Sequence, residues 1–223
     1  MIRGLFGRGK KEEEKAPEPV ERGPLAVANG QAIEIDDLTL RASLAGRECA
    51  MDLPSINPFI VAGIGQTMLD ADMQLTRYYD DDDRMIQVMG APGCSIEEAV
   101  DVSFYMPWDS VVPASSADWD EWTGPSGRLG LPSYDADGIL YRRFWGDGDG
   151  RMALVEFVEE VDAEGSKREI HQKSMLYARD LGGLNEMLLI LTQCDLKGRA
   201  SEGGASIEFM IGYGINSADV KRV

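Results

Sequence analysis

Two stretches of this chain match each other, LDADMQLTRYYDDDDRMIQV (69–88) and YDADGILYRRFWGDGDGRMALV (134–155), once two single-residue insertions are allowed. Asp70 and Asp72 align with Asp135 and Asp137, Arg77-Tyr78-Tyr79 with Arg143-Phe144-Trp145, Asp81 and Asp83 with Asp147 and Asp149, and Arg84-Met85 with Arg151-Met152. In each copy an Asp-containing turn leads into an aromatic strand, and a second acidic turn reverses the chain into an apolar strand, so that the expected unit is a duplicated hairpin. Asp and Gly suit such turns because they tolerate positive φ and bond their own backbone. Two copies are too few for a solenoid, so the expectation is a duplicated unit whose halves pair about a pseudo-twofold axis.

The elements around the repeat read mostly as strands. PFIVAGIGQTMLD, QLTRYYD, RMIQVMG, ILYRRFW, RMALVEFVEEV, REIHQKSMLYARD and SIEFMIGYGI are rich in β-branched and aromatic residues between turn residues. IEIDDLTLRASLAG predicts a strand then a helix, and ADWDEW a helical turn inside a Pro, Ser and Gly-rich connection. SIEEAVDVSFYMPW carries both a capping box (Ser95, Glu98) and a strand alternation. LNEMLLILTQCDL, a long apolar run of good helix formers, predicts the clearest helix. The fold class is therefore α+β, mainly antiparallel β, with two similar β-rich halves at about 55–123 and 124–223 and a few short helices.

Residues 1–24 differ from the rest: six Lys/Arg, five Asp/Glu, three prolines and few apolar residues predict a disordered charged tail before a single body at 25–223. Within it Ile2, Leu5 and Phe6 lie among Arg3, Arg8, Lys10 and Lys11, a pattern open to a weak membrane-surface contact through residues 1–11. The whole chain has 39 acidic against 22 basic side chains, a formal charge of −17, which excludes a phosphate-backbone binder as the leading reading. Cys49, Cys94 and Cys194 form no CxxC pair, and the apolar runs are too short to span a bilayer. A cytoplasmic protein is expected, with a membrane-peripheral position as its second form.

The Asp147–Gly150 turn resembles half of a calcium loop. With Gly150 at loop position 6, Asp147, Asp149 and Glu156 fall on ligand positions, but Trp145 occupies position 1 and the flanks read as strands. These three residues are weak metal candidates only. His171 is the sole histidine, so a triad or a His-rich metal site has little to draw on. No Walker sequence is present, and GYG at 212–214 leaves no room for a phosphate-receiving helix. The residues left as ligand or partner contacts are Arg77, Tyr79, Asp81, Asp83, Arg143, Trp145, Asp147 and Asp149. The two arginines suit an anionic ligand or a carboxylate at the interface between halves.

LTRYYDDDD, YRRFW, MLYARDL and LNEMLLIL, after a basic LFGR start, resemble the YjfK-like family of bacterial proteins of unknown function. That resemblance implies a cytosolic protein and an accessory part in envelope stress, since family members tend to be encoded near a phage-shock-like membrane-stress protein. It supplies no catalytic residues and no cofactor. The function expected is a non-enzymatic interaction or adaptor protein with a protein partner. The alternative is a small-ligand or cation-binding protein, or an enzyme, with a polar pocket between the halves.

Overall fold

The computed structural model describes residues 20–146, 148–163, 166–195 and 205–223. Its elements run β1 (Ala32–Ile35), α1 (Leu38–Leu44), β2 (Phe59–Ile60), β3 (Gly63–Met68), β4 (Gln74–Tyr79), β5 (Met85–Gly90) and β6 (Asp101–Val111). There follow α2 (Ser116–Thr123), β7 (Ser133–Ala136), β8 (Ile139–Arg143), β9 (Val155–Ala163), β10 (Ser166–Asp180), β11 (Asn185–Asp195), β12 (Ser206–Gly214) and β13 (Val220–Arg222). Mostly antiparallel β is thus the architecture. Among the described residues no helix is long and apolar enough to cross a membrane.

Eight strands close on themselves in the order β3-β4-β5-β6-β12-β11-β10-β9, with β9 returning to β3. Closure leaves no free edge in the ring, which removes the template an open sheet offers to other chains. The ring consists of two four-strand meanders, β3 to β6 and β9 to β12, joined at β3–β9 and β6–β12. The β7–β8 hairpin hangs from the far part of β10, whose near part carries β9. A small sheet, β13-β1-β2, packs outside.

This arrangement departs from the expected duplication. The sequence match aligns β4 with β8 and β5 with β9, yet β4 and β5 pair with each other through the Asp80–Arg84 turn whereas β8 and β9 both pair with β10. The matched strands hold non-equivalent places, so the pairing does not display two repeat-related halves. The shared Asp-Ala-Asp has a local use: each copy places an Asp turn at the tip of a hairpin, at Asp70–Asp72 and at Asp135–Gly138. There Asp70 and Asp135 accept backbone N–H groups two and three residues on.

Within LNEMLLILTQCDL, Asn185–Asp195 form a strand, β11, and not a helix. Met187, Leu189 and Leu191 enter one cluster with Tyr105 and Met85, while Leu188 and Ile190 enter the other with Phe104 and Tyr213. A strand apolar on both faces has lost the alternation that would distinguish it from a helix, and tertiary pairing overrides the helix propensity of Leu and Met. In the ambiguous SIEEAVDVSFYMPW both signals are used: the Glu98 carboxylate accepts the Ser95 N–H at 3.0 Å beside a 3₁₀ turn (Ile96–Glu98), and β6 begins at Asp101.

Two apolar layers result. The larger lies between the outer wall of the barrel and its covering of β1, α1, α2 and the β7–β8 hairpin; it includes Ile35, Leu44, Tyr78, Phe104, Tyr177 and Phe209. Trp108, Trp122 and Tyr134 surround Phe209 with centroids 5.6–6.4 Å away. The smaller lies inside the barrel. The ordered body extends back into the expected tail, because Arg22 bridges to Val27 and its guanidinium meets Asp162 at 2.7 Å. The apolar-basic stretch 1–11 lies outside the described residues.

Candidate functional site

Arg77 on β4 and Gln172 on β10 are three strands apart around the ring, yet Arg77 donates to the Gln172 side-chain oxygen at 2.6 Å. On a convex wall such side chains diverge, so this contact crosses the barrel's interior. Arg77 also donates to Gln87 at 3.1 Å and to Glu159 at 3.4 Å, and its guanidinium faces the Phe157 ring at 5.3 Å. Glu159 accepts from Gln172 at 2.6 Å and from the Tyr79 hydroxyl at 2.8 Å. Arg77 and Glu159 are 2% and 1% exposed, so a whole ion pair stands in the interior with amide and phenol partners on its remaining atoms. Burial, the Glu159 charge and the hydrogen bond to it together push the Tyr79 hydroxyl far above the usual phenol range, with Arg77 opposing, so it stays a neutral donor.

Glycine makes the space for this network. Gly65 on β3 lies against Glu159, and a Cβ placed on it would fall within the carboxylate. We expect Gly65→Ala to displace Glu159 and to destabilise the fold by about 1–3 kcal/mol, the usual range for overpacking; urea unfolding of the variant measures it. An effect below a few tenths of a kcal/mol would show that Glu159 can move freely.

Above the network, among the described residues, the barrel opens at the end where the Asp80–Arg84 turn lies. A cavity of about 420 Å³ is lined there by Tyr79 and Gln172 at the bottom, Ala62, Gly63, Val161, Ala163 and Ile170 on the walls, and Asp80, Asp83, Arg168 and Gln193 toward the rim. That volume falls in the range of small-molecule pockets. The rim turn is firmly built: Asp80 accepts the Asp82 and Arg84 N–H groups at 3.0 and 2.9 Å and the Arg84 guanidinium at 2.6 Å. Arg84 in turn donates to the carbonyls of Ser55 and Ile56. Asp83 holds φ 58, a left-handed conformation that Asp tolerates.

The predicted contact residues are thus divided. Tyr79 and Asp83 line the mouth, Arg77 lies beneath its floor, and Asp81 is exposed on the same turn as Asp83. Arg143 does not converge with Arg77: it donates to the carbonyls of Gly130, Trp145, Gly148 and Gly150 at 2.7–3.0 Å and so clamps the loop after β8. Trp145 is half-buried beside both apolar clusters, Asp149 is exposed on the clamped loop, and Asp147 lies outside the described residues. Glu156 is exposed on β9 and pairs with Lys173 at 3.3 Å. Among the described residues no three His, Cys, Asp or Glu side chains gather as a metal site would require. His171 is an exposed position of β10.

Sequence reading missed Glu159, Gln172 and Gln87. The signal for Glu159 was present in VEFVEEV, where it shares a face with Phe157 and Val161, but nothing local named its partner 82 residues away.

A second buried carboxylate sits in the outer layer. Glu186 on β11 is fully buried and accepts from the Tyr141 hydroxyl at 2.7 Å, Tyr213 at 2.8 Å, the Arg179 guanidinium at 2.6 Å and the Ala50 N–H at 3.0 Å. Burial works to raise its pKa, but these bonds together outweigh it and hold the carboxyl below the usual carboxylate range. With every donor internal, this cluster ties the 48–50 segment and β8 to the barrel and offers no atoms to a ligand.

Fold and site together define a closed antiparallel barrel with a buried ion pair inside and, among the described residues, a polar-rimmed cavity at one end. The chain belongs to a family described as protein of unknown function, DUF2491, whose model matches residues 2–221. This agrees with the resemblance to the YjfK-like proteins. No curated protein and no solved structure matches the chain.

Proposed function

We propose that this protein is a non-enzymatic binding protein whose site is the open mouth of the barrel. The observation that carries the reading is a cavity of about 420 Å³ whose floor, Tyr79 and Gln172, is hydrogen-bonded to a buried ion pair. A barrel serving only as scaffold gains nothing from that arrangement: replacing a buried ion pair by packed apolar residues is often neutral or stabilising, and filling a cavity stabilises. Small wall residues such as Gly63 and Ala163 keep the space open. Among the described residues, the mouth is lined from the first copy of the sequence repeat and not from the second.

The test is a plug. Ala163→Phe fills the cavity from the wall, and we expect it to abolish any molecule that co-purifies with the wild-type protein in native mass spectrometry while circular dichroism stays unchanged. Retention of the same molecule by the plugged protein would place binding elsewhere. A second reading, an adaptor that docks a protein, draws on the exposed Leu140 and Phe144 of the β8 segment, 57% and 54% accessible. Leu140→Ser with Phe144→Ser would then release a partner that the plug leaves bound. A part in envelope stress rests on the family resemblance alone.

A further inference from the structure

We infer that the mouth takes a small zwitterion, a molecule with an ammonium at one end and a carboxylate at the other, such as a free amino acid or a short peptide. The inference rests on the binding reading above and adds the chemistry of the ligand. It starts from where two charges stand on the ring. Asp83 stands in the β4–β5 turn and Arg168 on β10; β4 and β5 are three and four strands from β10 in a ring of eight, so the two charges stand on opposite sides of the opening. Both side chains line the same cavity and both are exposed. Among the described residues neither has an ion-pair partner within 4 Å, whereas Asp80 and Asp82 are both taken by Arg84.

The cavity thus presents a carboxylate on one wall and a guanidinium on the other, with neutral surface between them. An ammonium placed at Asp83 and a carboxylate placed bidentately at Arg168 satisfy both at once. A ligand with a single charge would leave one wall unmatched, and a neutral one both. The space between is suited to an organic body: Gly63, Val161 and Ile170 offer apolar contact, while Gln193 offers an amide that matches an amide or an ammonium. An eight-stranded barrel holds one small ligand at most, which limits the size.

Amide chemical shifts of the full-length protein test this, titrated to millimolar concentrations with L-leucine, with glycyl-leucine and with leucine capped at both ends as the neutral control. At least one of the two zwitterions should move the amides of Gly63, Ala163 and Gln172, the capped molecule should not, and whichever of the two binds fixes the length. Asp83→Asn, which keeps the left-handed turn, and Arg168→Gln should each weaken that binding at least tenfold. Equal binding of the capped control overturns the assignment of charge. No shift with either zwitterion also overturns it, and if the Ala163→Phe plug still expels a co-purifying molecule, the binding reading stands while the zwitterion falls.

Discussion

Arg77→Met will lower stability by about 3–5 kcal/mol, because it leaves the Glu159 charge in the barrel interior without its cation. Glu159 would keep Tyr79 and Gln172 as donors, but neither neutralises a carboxylate that is 1% exposed. For a chain of this size each kcal/mol is worth about 2–4 °C, so the melting temperature should fall by roughly 10 °C. The double variant Arg77→Met, Glu159→Gln should recover a substantial part of the loss, since the amide still accepts from Tyr79 and no charge remains. Thermal and urea unfolding of the four proteins close a double-mutant cycle. A single-variant loss below 1 kcal/mol, or a double variant no better than the single, would mean that the interior is wetter than its burial indicates.

The second large effect belongs to Glu186. Glu186→Ala strands two phenol hydroxyls, a guanidinium and a backbone N–H at once, and should cost about 3–5 kcal/mol, in the range for breaking a buried charged network. Glu186→Gln keeps the acceptor oxygen and should cost less. The same site sets an acid limit. Its folded pKa lies below the ordinary glutamate value, despite the opposing effect of burial, so its contribution is complete above the unfolded pKa of about 4.3 and is lost as pH falls through the folded value. Urea midpoints measured from pH 6 down to pH 3 should therefore fall more steeply for the wild type than for Glu186→Gln at the acid end. Parallel curves would remove Glu186 from the acid response.

The strand content and most strand positions were legible in the sequence because alternation and turn residues are local signals. QLTRYYD, RMIQVMG and SIEFMIGYGI became β4, β5 and β12. β13 went unread, and β11 was misread because burial on both faces erased the period of two. The candidate site was half legible. Arg77 stood out in the repeat, and a carboxylate partner for it was an available reading, but Glu159 could be supplied only by the β3–β9 pairing that brings Gly65 to Val161. Arg143 shows the opposite error: its match to Arg77 in sequence concealed that one guanidinium faces a barrel interior and the other four backbone carbonyls, three of them in the loop after β8. Sequence similarity reported a shared turn chemistry and was silent about the side of the sheet.

The division of the ring into two meanders also sets an order of assembly. Within each meander, successive strands meet over short loops. The two seams join residues far apart in the chain, Gly63 with Ala163 and Val111 with Ile207. Closing so long a loop costs entropy before any contact returns it, which slows folding. In pulse-labelled hydrogen exchange during refolding, amides between β4 and β5 should gain protection before those of the β3–β9 seam. The cavity, whose walls come from both sides of that seam, would then be the last part of the molecule to exist.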